Sequence, residues 1–255
     1  EFTYFGHDNA FSLNVGVPIH LPVASYEGNF SDVFKEGWDK PRDFTKVIRG
    51  VKFGQKESDL YVELSRTLSG TLGHGQLMRF FTPNISSGFL PEYTLEADAL
   101  SLALDGYLGF GGFELFLDDV IVPRVFGGLF FLRPSVLAGS SDPWLKRLSL
   151  AITVASDVEA PFSEGTEMSN GSVHGVGVDA EYKFYKGDNL DIKSYLDGSG
   201  LFYTGGSGFG GALGVLVRGN IEGTSTHVLR ARLEFRLSGP SFIPSYFDTT
   251  YRLGR

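Results

Sequence analysis

The chain has 255 residues, no cysteine and a formal net charge of −8. The acidic balance argues against nucleic acid as a partner, because phosphate binding needs a basic surface. The lack of cysteine excludes disulfides and cysteine-based metal sites. The 34 glycines, 23 phenylalanines and 11 tyrosines favour strands, tight turns and aromatic girdles. We find no break in composition and therefore interpret residues 1–255 as one all-β domain.

The first third of the chain alternates between strand patterns and long polar segments. Apolar residues recur at every second position over 11–23, which predicts a long strand. Two further strands are predicted over 44–54 and 59–69, joined by a tight turn at 54–58; the alternation in the second is interrupted by Arg66. The segments 24–43 and 70–94 lack this alternation, so we predict that both are long loops.

The middle of the chain predicts a hairpin and two further strands. An Asp-Gly pair between two alternating runs is a strong hairpin signal, so residues 95–105 and 107–117 should pair about a turn at Asp105 and Gly106. The strand-sized apolar run at 125–133 and the alternating apolar residues at 148–154 predict two further strands. The acidic, Gly- and Ser-rich segment 157–173 is predicted to be an exposed loop.

The region 175–237 has the clearest pattern in the sequence. Apolar residues alternate with charged or small ones, which is typical of strands with two unlike faces. Turn-forming residues interrupt the alternation at 186–189, 205–208 and 222–225. The aromatic-rich segment 242–251 predicts a last strand. The total is about 12 strands and no confident helix.

Two observations favour a membrane barrel over a soluble fold. Predicted strands of about 9–12 residues match the length that a tilted strand needs to cross a bilayer. Long connections (24–43, 70–94, 157–173) also alternate with short ones (54–58, 105–106, 186–189, 222–225). We therefore predict an antiparallel up-and-down transmembrane β-barrel with short periplasmic turns and longer external loops. The alternative is a soluble β-sandwich whose charged face meets water.

On this whole-chain pattern the sequence resembles porin-like outer-membrane β-barrel proteins of Gram-negative bacteria. The segments 72–77 (LGHGQL) and 112–124 (GFELFLDDVIVPR) are similar to parts of uncharacterised proteobacterial barrels. The resemblance implies location in the bacterial outer membrane. Such barrels usually end in an aromatic residue, whereas this chain ends in Arg255, so we expect further strands or a composite barrel.

The alternation assigns the residues of the predicted barrel to two environments. Charged residues of the last strands should line the lumen: Asp179, Glu181, Lys183, Arg218, Arg230, Arg232, Glu234 and Arg236. Apolar residues of the same strands should face lipid: Leu213, Val215, Val217, Leu229, Leu233 and Phe235.

These assignments lead to three hypotheses about function. The first is a narrow outer-membrane channel for small polar solutes or ions, in which rings of charge select the solute. The second is a plugged barrel that anchors or assembles with other envelope proteins. The third is a soluble β-sandwich binding module.

No catalytic residue, metal site or cofactor is predicted. His74, between two glycines, is the histidine that would best fit a lipid hydrolase. No serine or acid, however, is spaced from it as in a known catalytic motif. Glu114, Asp118 and Asp119 offer oxygen ligands for Ca²⁺ without forming a known calcium loop. The expected partners are outer-membrane lipid, small polar solutes and other envelope proteins.

Overall fold

The computed structural model describes residues 2–6, 10–16, 47–56, 58–84, 99–164, 167–187, 189–221 and 227–251. Within these ranges, twelve strands form one sheet in which each strand pairs antiparallel with its neighbours in sequence, in the order β1 to β12. The prediction of an all-β, up-and-down antiparallel architecture is therefore confirmed. The sheet is not closed, and β1 and β12 are its two edges.

The first seven strands are short and the last five are long. The short strands are β1 (Phe2–Phe5), β2 (Phe11–Val15), β3 (Ile48–Phe53), β4 (Leu60–Ser65), β5 (Ser101–Tyr107), β6 (Gly111–Leu117) and β7 (Val125–Leu132). The long strands are β8 (Leu148–Glu164), β9 (Glu167–Lys186), β10 (Leu190–Tyr203), β11 (Gly206–Ile221) and β12 (His227–Ser238). Helix α1 (Pro134–Leu137) and a 3-10 turn (Leu145–Arg147) connect β7 to β8. No helix in the described ranges is long and apolar enough to cross a membrane.

The hairpin between β5 and β6 turns three residues later than the sequence predicts. Asp105 and Gly106 belong to β5 and pair with Glu114 and Phe113 of β6. The turn is at 108–110, where Gly109 has a φ of +79° that favours glycine. Gly106 is needed for packing instead, because a Cβ there would lie 2.5 Å from the Phe113 ring.

The predicted exposed loop at 157–173 is wrong, because this segment continues the β8–β9 hairpin. The register runs on past a bulge between Asp157 and Ala160 and reaches Glu164 paired with Glu167. Ladder hydrogen bonds join backbone groups, so acidic, Gly and Ser residues do not prevent pairing. The predicted alternation of long and short connections therefore fails at this position. The predicted loop at 24–43 lies outside the described residues.

One face of the sheet, here called the outer face, carries exposed apolar side chains from nine of the ten strands β3 to β12. On β5 the apolar residues of this face, Leu102 and Leu104, are half-buried. The exposed side chains include Phe53, Leu60, Leu115, Phe126, Phe130, Ile152, Val154, Val176, Val178, Leu196, Leu213, Leu229, Leu233 and Phe235. The register makes them direct neighbours across strands, as in the pairs Ile152–Val178 and Leu213–Phe235. Leu233 is 78% exposed. The face is thus continuous and apolar over ten strands.

The opposite, inner face packs against two inserted segments, 66–84 and 239–251. They join in a parallel bridge between Met78 and Phe247. The backbone N–H of Arg79 donates to the Phe247 carbonyl at 2.9 Å, and the Phe247 N–H donates to the Leu77 carbonyl at 3.0 Å. The described part of the predicted loop 70–94 is therefore folded against the sheet.

The predicted last strand at 242–251 is also wrong. Its aromatic residues pack into the core instead of alternating across a sheet. Phe247 is completely buried and forms T-shaped contacts with Tyr246 and Tyr251 at 5.1 and 5.0 Å between ring centroids. The aromatic content of this segment suggests a strand. The rings instead all pack into the same apolar core, which alternation along the sequence does not reveal.

The hydrophobic core lies between the inserted segments and the inner face of the sheet. Its largest members are Leu72, Leu77, Met78, Phe81, Phe116, Val125, Leu129, Leu201, Phe242 and Phe247. Phe81 meets Phe116 of β6 edge-on at 5.8 Å. The core thus lies on the inner side of the sheet, and the apolar outer face is not part of it.

We expect Phe247→Ala to lower the free energy of unfolding by roughly 3–5 kcal/mol, because the ring is buried and the cavity cannot refill. Ile243→Ala is the control in the same segment: Ile243 is 61% exposed, and its loss should cost no more than about 0.5 kcal/mol. Urea unfolding of the purified protein measures both. Equal effects would contradict a core at Phe247.

Candidate functional site

The structure places all eight residues predicted to line a lumen on the inner face. Six of them border a cavity of about 930 Å³: Asp179, Glu181, Lys183, Arg218, Arg230 and Arg232. Glu234 and Arg236 lie farther along β12, where Arg236 donates to Ser245 of the second inserted segment at 3.0 Å. The eight residues thus share one face of the sheet, as the alternation indicates. The inserted segments that contact them are seen only in the structure.

The six residues predicted to face lipid lie on the outer face with one departure. Leu213, Val215, Leu229, Leu233 and Phe235 are exposed there. Val217 is only half-buried and contributes to the lining of the cavity. Val217 pairs with Ala231, which also borders the cavity.

His74 of the first inserted segment forms the inner end of the cavity. Its ring stacks on Tyr195 of β10 with centroids 3.8 Å apart and an angle of 11° between the planes. Its Nε2 lies 3.6 Å from a carboxylate oxygen of Glu181 and 4.0 Å from one of Asp179. The side chain is only 10% exposed. His74, which the sequence places in a predicted loop, is therefore buried next to charged residues of the strands.

Two distant strands hold the backbone around His74. Arg232 of β12 donates to the His74 carbonyl at 2.6 Å, and the Gly73 N–H donates to Glu114 of β6 at 3.2 Å. In a flat sheet, β6 and β12 would stand roughly 29 Å apart, since neighbouring strands are about 4.8 Å apart. The sheet therefore curves around the inserted segment.

A buried charge network lies beside the His74 ring. Glu234 accepts hydrogen bonds from the Tyr195 hydroxyl, from Arg232 and from Arg236. Arg232 also donates to the Tyr195 oxygen at 2.8 Å. Gly214 on the next strand makes room for this ring, because a Cβ there would lie 2.3 Å from it. One carboxylate thus compensates two guanidinium groups and fixes the tyrosine under His74.

Burial lowers the pKa of His74 from its ordinary value of 6.5 to about 4, although the Glu181 carboxylate favours the protonated ring. Lys193 and Arg232 add to the lowering. The imidazole is therefore neutral at neutral pH. Its contact with Glu181 is too long for a hydrogen bond, so the ring is held mainly by stacking and burial.

A Ser–His pair that the sequence did not indicate lies on the outer face. Ser156 of β8 and His174 of β9 are direct cross-strand neighbours, and the serine Oγ is 2.7 Å from the histidine Nδ1. Phe126 and Phe202 flank the pair on the neighbouring strands. No described carboxylate or amide side chain hydrogen-bonds to His174. The pair has a nucleophile and a base but lacks the third, orienting group of a nucleophilic site.

The acids considered as calcium ligands point to different partners. An Asp118 oxygen accepts from the Arg124 N–H at 3.0 Å, and an Asp119 oxygen accepts from the Ile121 N–H at 3.0 Å. Glu114 contacts Gly73 inside the fold. Among the described residues, no group of three or more metal-ligating side chains is arranged to hold an ion.

The fold and the site define a class of protein: a single curved antiparallel sheet with an apolar outer face and a charged inner face that is partly filled by two segments of its own chain. Comparison with protein-family models, curated sequences and solved structures gave no match. The functional interpretation therefore depends on the molecule's own geometry.

The lowered pKa of His74 predicts a pH dependence of stability. The unfolded chain takes up a proton near its ordinary pKa of about 6.5, whereas the folded protein does so only near pH 4. Stability contributed by the neutral ring is therefore complete above pH 6.5 and is lost as the pH falls toward 4. We expect His74→Gln to remove a part of the acid sensitivity on the order of 3 kcal/mol. Unfolding free energies from pH 4 to 7 measure this difference.

His174→Gln is the matched control, since this histidine is exposed on the outer face. It tests whether the change in the pH profile is specific to the buried ring of His74. If His74→Gln and the unmodified protein lose stability in parallel between pH 6.5 and 4, the ring is not buried in its neutral form.

Proposed function

We propose that the chain forms a β-barrel of a bacterial outer membrane, with its outer face against lipid and its inner face around a narrow, charged interior. The interior serves as a passage for small polar solutes or ions, and the inserted segments restrict it. The single observation that carries this proposal is the continuous, exposed apolar face on a sheet whose other face holds the core and the charges.

The exposure of this face argues against a soluble fold. A contiguous apolar surface over ten strands is far larger than soluble proteins normally leave in water. In a β-sandwich a second sheet would cover it, but all twelve strands belong to one sheet. No described segment packs on the outer face, so lipid is the environment that suits it best.

The polar interior supports passage of solutes. The cavity of about 930 Å³ is bordered by charged residues of both signs and reaches His74. Beyond His74, the two inserted segments fill the inner face with a hydrophobic core. A solute would therefore have to displace or pass the segment that Arg232 and Glu114 hold.

The extent of this filling favours a second candidate function, a plugged barrel that anchors or assembles with other envelope proteins. In that case the inserted segments are permanent parts of the core, and the charges stabilise the interior without conducting. Conductance separates the two functions.

A cysteine scan tests the membrane assignment. Each label attaches only to the introduced cysteine, because the chain has no cysteine of its own. Spin labels at positions 229, 233 and 235 of β12 should report contact with lipid, as their native side chains are exposed and apolar. Labels at 230, 232 and 236 should report a polar environment. Accessibility to oxygen and to a water-soluble relaxation agent in lipid vesicles measures both sets. Outer labels that are accessible only to the water-soluble agent would refute a membrane location.

Planar-bilayer recordings test the role of the inserted segments. We expect the unmodified protein to show a small conductance, because the inserted segments restrict the passage. The double variant Glu114→Ala/Arg232→Ala should show larger and more frequent openings, because both contacts to the His74 region are lost. Lys193→Ala is the control: it removes a cavity charge that pairs with Glu181 at 2.9 Å and does not hold the segment. A silent double variant that still inserts into the bilayer would favour the plugged, structural barrel.

A further inference from the structure

The part of the cavity away from His74, here called its outer part, has a concentration of positive charge. One row of direct cross-strand neighbours on the inner face consists of Lys186, Asp191, Arg218 and Arg230. Arg218 and Arg230 are opposite each other. Like charges in this position destabilise a sheet, since their side chains begin only about 5 Å apart.

The next row repeats the arrangement. Lys183 is opposite Lys193, and Arg232 follows two strands away. Two of these three cations are compensated within the fold, because Lys193 pairs with Glu181 at 2.9 Å and Arg232 pairs with Glu234. Lys183 has no carboxylate within ion-pair distance in the described part of the chain.

Lys186 and Arg230 resemble Lys183 in this respect. Neither has an ion-pair partner among the described residues, and both are exposed at the border of the cavity. On the far wall, Lys56 and Arg133 add two more positive charges. Arg133 is held in place by a hydrogen bond of 2.8 Å to the Tyr107 hydroxyl and by stacking over its ring.

The cavity as a whole is therefore basic although the chain is acidic. Its lining contains eight Lys or Arg residues and five Asp or Glu residues, whereas the whole chain has a net charge of −8. A recess with an excess of one sign of charge attracts the opposite sign, because its protein walls focus the field.

We propose that the outer part of this cavity is a binding site for a small anion, a solute that carries a carboxylate or phosphate group, with Lys183, Lys186, Arg218 and Arg230 as its basic contacts. A guanidinium group can bind such a group through two parallel hydrogen bonds. The cavity volume of about 930 Å³ is sufficient for a small organic molecule. This inference deepens the proposed function by naming the solute class, and it rests on the proposed passage only for its physiological meaning.

The acidic residues at the His74 end of the cavity limit how deep the anionic group can enter. Glu114, Asp179 and Glu181 border the same cavity close to His74. They repel a second negative charge that enters deeper. The anionic group therefore stays in the outer part, and any deeper portion of the solute is neutral or positively charged.

Isothermal titration calorimetry of the purified protein in a neutral detergent at low salt tests the site, with citrate and inorganic phosphate as probes. We expect saturable binding of citrate that weakens as sodium chloride is added, because the contacts are ionic. Arg230→Gln and Lys183→Gln should each weaken citrate binding about tenfold, the loss of one charge-assisted contact. Lys146→Gln is the matched control, an exposed lysine that does not border the cavity.

Several outcomes would overturn the proposal. These are no citrate or phosphate binding at millimolar concentration, equal affinity in the two cavity variants and the control, or stronger binding of calcium than of citrate. Heat-modifiable gel mobility confirms that each variant is folded before the titration.

Titration in detergent keeps this test separate from the membrane assignment. Citrate binding together with outer-face labels that report water would preserve the anion site and reject the barrel. Labels that report lipid without citrate binding would preserve the barrel and reject the site.

Discussion

The structure depends on one contact, the stacking of His74 on Tyr195 beneath the guanidinium of Arg232. Three conditions make it possible: a glycine at position 214 that leaves room for the tyrosine ring, a carboxylate at Glu234 that compensates the arginine, and an inserted segment long enough to reach β10. A stacked aromatic pair contributes only about 0.5–1.5 kcal/mol beyond the area it buries. Its importance is geometric. The same two residues, Gly73 and His74, also contact β6 and β12, so this junction determines how strongly the sheet curves.

The two faces of the sheet differ in the interactions that their side chains make. On the outer face the apolar side chains are exposed and adjoin their cross-strand neighbours, and the polar Ser156–His174 pair is hydrogen-bonded within the face. On the inner face each charge needs a partner, and the partners come from the same strand, from the neighbouring strand and from the inserted segments. Glu234 pairs with Arg232 and Arg236, whereas the outer rows contain more cations than acids. The imbalance is thus localised to the part of the interior that is empty.

Much of the fold could be predicted from local sequence, but the site could not. Alternation along β9 and β12 reports two faces because side chains in a strand point alternately to opposite sides, and it grouped Asp179 and Arg232 correctly. It could not report that Gly106 serves packing and Gly109 the turn, since both are small residues near the same bend. It also missed the position of His74, Phe247 and the Ser156–His174 pair. Arg232 is 158 residues away from His74 in sequence, and Leu77 is 170 residues away from Phe247. Only the register and the curvature of the sheet bring such residues together.

The bridge between Met78 and Phe247 has a consequence for how the molecule assembles. Met78 lies between β4 and β5 and Phe247 lies after β12, so the loop that the bridge closes contains eight of the twelve described strands, β5 to β12. Closing so long a loop costs entropy before any contact is gained, and topologies rich in such contacts fold slowly. During folding the hairpins can form one after another from local pairs, while the interior stays unfinished until the segment after β12 docks. Until that moment the core around Phe81 and Leu77 lacks the part that the last segment supplies, while the apolar outer face is already exposed.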